Sequence, residues 1–159
     1  MEFPERVFTE DEVKQARELI EKGYRHKLRV TGSEEFKKKV TEVLDLIRTA
    51  GYYEFLTTYI REIKEIEGFS QLHEADVVIW ANMQILVDPV DAASFIVQKV
   101  HQMKDYIESR LYYGAGETAA IEKRLKFLEI LKEKTRSEEV KKRCDELLKQ
   151  WEDTKMMFP

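Results

Sequence analysis

The chain has 159 residues, of which 43% are hydrophobic and 36% charged, and its formal net charge is −4 at pH 7. The hydrophobic share excludes a disordered chain, and the negative balance excludes a general attraction to nucleic acids or anionic lipids. With one cysteine, Cys144, an internal disulfide and a cysteine-based zinc site are excluded as well. No apolar run reaches the ~18 residues of a membrane span, and residues 1–6 lack a signal-peptide pattern, so we expect a cytoplasmic globular protein.

The polar composition is uneven, with 23 glutamates and 17 lysines against a single asparagine. This composition is typical of hyperthermophilic proteins, although helix propensity alone also favours glutamate and lysine on helical surfaces. We therefore keep a thermophilic origin as one interpretation.

Helical patterns begin near the start of the chain. Thr9 and Glu12 have the spacing of a capping box, and the apolar residues after them share one helix face until Gly23. These features predict a first helix that starts at Thr9. Apolar residues three and four apart predict a second helix over 34–50, which Gly51 ends.

Two more helices are predicted in the middle of the chain. Residues 52–67 place apolar side chains at helical spacing before Gly68. A fourth helix is expected from Ser70 to Val87, because these eighteen residues contain no turn signal. Its run 77–81 is apolar on every side, which predicts a buried helix at the centre of the fold, although a buried strand would have the same pattern.

The last part of the chain also reads as helical. Asp88 and Pro89 form an N-cap followed by a first-turn proline and predict a long fifth helix to about residue 113. A helical hairpin is expected over 117–153, with Ser137 capping its second arm.

Together these elements predict an all-α fold, a single compact multi-helix domain of about seven helices over 1–159. Its helical core is expected over 8–113 and its C-terminal hairpin over 117–153. Only residues 24–30 alternate with a period of two, which we interpret as an extended connector or at most a minor strand pairing.

A basic segment is the first candidate site. Between residues 22 and 39, seven lysines and arginines stand against two glutamates, and Tyr24 and His26 lie among the cations. Cations can contact phosphates and the rings can stack on bases, so this segment predicts a nucleic-acid-binding surface. Its candidate residues are Arg25, Lys27, Arg29, Lys37, Lys38 and Lys39. A solvated charged helix face is the competing interpretation for the lysines at 37–39.

A metal site is the second candidate. His73 and Asp76 are three residues apart and His101 and Asp105 four apart, spacings that place each pair on one face of a helix. Helical bundles build metal sites from carboxylates and histidines on facing helices, which would make the chain a metal-dependent enzyme of helical-bundle type. Neither histidine has a glutamate three residues before it, as a di-iron site requires, so surface or half-buried polar residues remain the alternative interpretation.

Aromatic and apolar residues outside the predicted core indicate association. In the tyrosine pairs 52–53 and 112–113 both rings cannot face the core, and residues 156–159 add an apolar tail. No nucleophile motif or phosphate-binding loop occurs, and no cofactor is indicated. The leading hypothesis is therefore a non-enzymatic protein-interaction or self-associating domain, with nucleic-acid binding through 22–39 and metal-dependent catalysis as the alternatives.

Overall fold

A computed structural model of the chain describes residues 2–108 and 115–157. In these residues the fold combines six α-helices, fewer than the predicted seven, with a four-stranded mixed β-sheet. The elements in chain order are α1 Glu10–Glu21, β1 Arg29–Thr31, α2 Glu34–Thr49, α3 Tyr53–Tyr59, β2 Glu62–Glu65, β3 Gln71–His73, β4 Val78–Ala81, α4 Pro89–Ile107, α5 Ala115–Lys134 and α6 Glu138–Met157. Short 3-10 turns cover residues 74–76 and 85–87.

The sheet contradicts the all-α prediction. Its strand order is β1-β2-β4-β3, with β1, β2 and β4 parallel and β3 antiparallel to β4. The predicted third helix ends at Tyr59 and gives way to β2, and the predicted fourth helix is replaced by β3 and β4. The connector at 24–30 ends in a true strand, β1.

Burial explains why β4 resembles a helix in sequence. Three of its four residues are buried, whereas Ile63 is the one buried residue of β2. A central strand covered on both faces is apolar at consecutive positions instead of alternating, so its pattern matches that of a buried helix.

Local geometry fixes how β1 enters the sheet. A Cβ added to Gly32 would lie 2.7 Å from the Cβ of Glu65, so only glycine permits this close approach between β1 and β2. The Glu65 carboxylate also accepts the Ser33 N–H at 2.8 Å, and the Ser33 hydroxyl caps α2 by accepting the Phe36 N–H. The β1–α2 turn is therefore tied to β2.

The other predicted helices begin where expected, but α4 ends at Ile107, before the predicted end near residue 113. The capping box of Thr9 and Glu12 is present on α1, and Asp88 accepts the Asp91 N–H at the start of α4. Ser137 caps α6 through the Val140 N–H. Residues 109–113 of the predicted fifth helix lie outside the described residues, and the division into a core and a hairpin stays a prediction.

Helix α4 lies at the centre of the core. Its residues Ala92, Ala93, Ile96, Val97, Val100, Met103 and Ile107 are at most 1% exposed. It packs against α1, α2, α3, α5 and α6. None of the described helices combines the length and hydropathy needed to cross a bilayer.

Candidate functional site

The basic residues of the segment that leads into β1 point to solvent, as their alternation in the sequence predicts. Arg25, Lys27 and Arg29 are exposed, whereas His26 is only 6% exposed. The His26 ring packs edge-on against Phe3, with ring centroids 4.5 Å apart, and is therefore not available to stack on a base.

Carboxylates offset part of this positive charge. Arg25 lies 3.0 Å from Glu54 and Arg29 3.6 Å from Glu62, while Lys37 on α2 lies 3.7 Å from Glu34. Lys38 is exposed on α2 and Lys39 is half-buried. Phosphates binding to this segment would have to compete with these ion pairs. Tyr24, the second ring of the segment, stacks on Phe3 with centroids 5.0 Å apart.

The histidines of the candidate metal site lie in separate aromatic contacts. The His73 ring stacks on Trp80 with centroids 3.4 Å apart, and its Nδ1 lies 3.9 Å from Asp76. His101 packs against Phe55 with centroids 4.5 Å apart, and burial together with nearby lysines lowers its pKa to about 4.

The two predicted pairs do not combine into one site. Asp105 lies half-buried one turn after His101 on α4, while His73 and Asp76 lie around the β3–β4 turn. Across residues 2–108 and 115–157, no three histidine, cysteine, aspartate or glutamate side chains are grouped as metal ligands.

The tyrosine pair at the start of α3 divides between two environments. Tyr52 packs edge-on against Phe127 of α5, with centroids 5.2 Å apart. The Tyr53 ring lies 4.2 Å from the guanidinium of Arg48. The pair at 112–113 and residues 158–159 lie outside the described part of the chain.

A buried arginine cluster was not predicted. Arg124 of α5 is 8% exposed and donates to Asp91 at 2.8 Å, Ser94 at 2.9 Å and Gln98 at 2.8 Å, all on one face of α4. Burial lowers the pKa of Arg124, and the Asp91 carboxylate opposes this shift. Arg124 stands three residues before the buried Phe127, and this helical spacing is the signal in the sequence that could have indicated a buried arginine. Because Arg124 already binds three acceptors, we assign it to packing between helices rather than to a ligand.

The open edge of the sheet is the stronger candidate. Strand β3 is the last strand in the sheet order, so one of its sides lacks a neighbour among the described strands. A cleft of about 320 Å³ runs beside it, with walls that include Phe8, Leu72 and Tyr106. The Tyr106 hydroxyl donates to the Val7 carbonyl at 2.6 Å, which fixes the chain segment that carries Phe8.

The loop before β3 presents Phe69, which is 89% exposed. Three hydrogen bonds of Asn82 hold this region in place. Its side-chain amide donates to the Gly68 carbonyl at 2.9 Å, its N–H donates to the Ser70 hydroxyl at 2.9 Å, and its side-chain oxygen accepts the Ile85 N–H at 3.0 Å. Gly68 and Ser70, on either side of Phe69, are therefore both hydrogen-bonded to Asn82. The loop is fixed in a conformation that exposes the Phe69 ring to solvent.

Searches against protein-family models, curated proteins and solved structures gave no match to this chain.

Proposed function

We propose that the chain is a non-enzymatic protein-interaction domain that binds an extended segment of a partner along β3. The observation that carries this proposal is the coincidence of an unpaired sheet edge with two highly exposed phenylalanines. Phe69, 89% exposed, precedes β3, and Phe8, 68% exposed, lines the cleft beside it.

An extended segment suits this edge because the outer backbone groups of β3 can pair with those of an added strand. Successive side chains of such a strand point to opposite faces, so alternate residues of the partner would point towards the cleft. The apolar part of the cleft lining, which includes Phe8, Leu72 and Tyr106, favours an apolar residue at that position.

The expected affinity is modest. Strand β3 has only three residues, and each backbone hydrogen bond contributes about 1 kcal/mol net. Covering the Phe69 ring adds apolar contact, and the entropic cost of association opposes both contributions. We therefore expect a weak, transient complex.

A displayed library of random peptides, selected on the wild-type protein, would supply the probe. We expect the selected peptide to shift the amide NMR signals of Phe8, Phe69 and residues 71–73. The F69D variant should bind it at least tenfold more weakly with an unchanged melting temperature, because the exposed ring makes little contact with its own fold.

The V87D variant is the matched control, since Val87 is also an exposed apolar residue, 67% exposed, but lies neither in the loop before β3 nor in the lining of the cleft. Selected peptides that shift only residues elsewhere, or that bind F69D as tightly as wild type, would refute the proposal.

A second copy of the chain is an alternative occupant of the same edge. Two β3 strands could pair about a two-fold axis, which is the self-associating form of the leading hypothesis. Sedimentation velocity separates the cases, because only self-association gives a dimer that F69D dissociates.

Nucleic-acid binding is the second candidate function, supported by the exposed row of Arg25, Lys27 and Arg29. The ion pairs of Arg25 and Arg29 weaken this support. Metal-dependent catalysis stays a prediction without a supporting cluster among the described residues.

A further inference from the structure

A second surface lies away from the residues that line the β3 cleft, between α2, α6 and the start of α4. It is a groove of about 570 Å³. Its apolar lining includes Leu46 of α2, Val87 and Pro89 before and at the start of α4, and Val140 of α6. Val87 is 67% exposed, one of three large hydrophobic residues so exposed among the described residues. The groove therefore offers apolar surface from three separate elements.

The Asp88 carboxylate links two of the elements that line this groove. Asp88 caps α4 by accepting the Asp91 N–H at 3.2 Å through Oδ1. Its Oδ2 accepts from Arg143 of α6, at 2.7 Å from Nε and 2.6 Å from Nη2. Such a two-pronged arginine–carboxylate contact fixes geometry as well as charge, so α6 and the start of α4 form a preformed pair of walls.

The walls determine which backbone conformation a partner can adopt. No strand lines the groove, and two of its three walls, α2 and α6, have backbone groups that are hydrogen-bonded within the helix. An extended peptide would find no strand edge here and would leave its own N–H and C=O groups unpaired where it is buried. A helical partner satisfies its backbone groups within itself and presents a stripe of apolar side chains.

The rim charges select the partner further. Glu42, Glu139 and Glu146 line the groove. Two cations also line it, but Arg143 is paired with Asp88, which leaves Lys142 to offset the glutamates. The rim is therefore acidic, and a helix with basic residues beside its apolar stripe complements it.

We infer that this groove binds a basic amphipathic helix of a partner protein. Apolar side chains spaced three and four residues apart would enter the groove over Val87, and flanking lysines or arginines would face Glu42, Glu139 and Glu146. This inference does not depend on the proposed function, because the two surfaces share no lining residue.

The probes are two fluorescein-labelled amphipathic peptides with identical leucine positions, one carrying lysines and the other glutamates at the flanking positions. Fluorescence anisotropy with the full chain at low salt should show the lysine peptide binding at least tenfold more tightly than the glutamate peptide. The V87S variant should weaken this binding at least fivefold, because it removes apolar contact without adding charge.

Charge reversal provides the specific control. E139K should weaken binding of the lysine peptide at least fivefold, whereas E122K should not, because Glu122 is an exposed residue of α5 outside the groove. F69D should bind the lysine peptide as wild type does, so failure at one surface is distinguishable from failure at the other.

The inference is overturned if neither peptide binds, if both bind equally, or if E139K and E122K have the same effect. Melting temperatures of all variants are measured alongside, and V87S and E139K should remain within a few degrees of wild type because both positions are exposed.

Discussion

At the scale of single residues, His26 is buried without the polar partner that a charged imidazole needs. Its backbone N–H donates to the Thr57 carbonyl at 2.7 Å, but its Nε2 is buried and has no hydrogen-bond partner in the described part of the chain. Burial, and secondarily the positive charge of Arg61, lowers the pKa of His26 to about 4.

The lowered pKa predicts a loss of stability in mild acid. Below about pH 6.5 the unfolded chain takes up a proton at His26, whereas the folded chain does so only near pH 4. The stabilisation is therefore complete above pH 6.5 and falls by about 1.4 kcal/mol per unit as pH drops towards 4. Urea unfolding of the H26F variant between pH 7 and 4.5 should show a shallower decline than wild type.

His101 has the same direction of shift and serves as the internal comparison, since its pKa is also lowered to about 4. H26F should keep the part of the decline that His101 causes, and the H26F/H101F double variant should lose both parts. Parallel wild-type and H26F curves would contradict the assignment.

At the scale of elements, Arg124 joins α5 to two other helices. Its guanidinium binds three acceptors on α4 and lies 5.1 Å from the ring of Trp151 on α6. Because Arg124, Ser94 and Gln98 are all buried, solvent cannot replace the hydrogen bonds between them when Arg124 is removed.

Replacing Arg124 by methionine should therefore destabilise the fold by about 2–3 kcal/mol, because the buried Ser94 and Gln98 lose a hydrogen-bond partner while the partly exposed Asp91 carboxylate is rehydrated. Equilibrium urea unfolding measures this loss. K126M, two residues further on an exposed face of α5, should change stability by no more than about 0.5 kcal/mol. Equal effects of the two substitutions would show that the Arg124 contacts contribute nothing.

Elements determined by neighbours in sequence could be predicted, and those determined by distant residues could not. The caps at Thr9, Asp88 and Ser137 act over three residues, so their spacing is visible in the sequence. The pairing of β1 with β2 joins Val30 to Ile63, which no local pattern encodes.

Ser70 shows how a local signal was misread. The sequence predicts a helix that begins at this residue, but its hydroxyl accepts the Asn82 N–H and so ties the loop before β3 to the residue after β4. The edge of the sheet and the presentation of Phe69 depend on this long-range bond. No local pattern in the sequence could therefore indicate where this edge and the exposed ring lie.

At the scale of the whole molecule, the uneven charge distribution makes nucleic-acid binding testable separately from the proposed protein interaction. The net charge is −4, yet residues 22–39 carry a local excess of cations. Any binding of single-stranded RNA should therefore depend on this segment and decrease steeply with salt. Three phosphate contacts correspond to a loss of about tenfold or more in affinity between 50 and 200 mM salt.

The decisive substitution reverses Arg25, Lys27 and Arg29 to glutamate. In an extended chain these side chains lie ~6.6 Å apart on one side. The rest of the protein is acidic and repels phosphate, so binding depends on these three cations. Electrophoretic shift of single-stranded RNA at two salt concentrations should show binding by wild type at the lower one only and no binding by the triple variant. The matched control reverses Lys14, Lys126 and Lys149 to glutamate, which makes the same change in net charge at scattered exposed positions and should retain binding. Equal loss of binding in both triple variants would mean that binding depends on net charge alone and not on this segment. If wild type gives no shift at low salt, nucleic-acid binding is removed as a function of this chain.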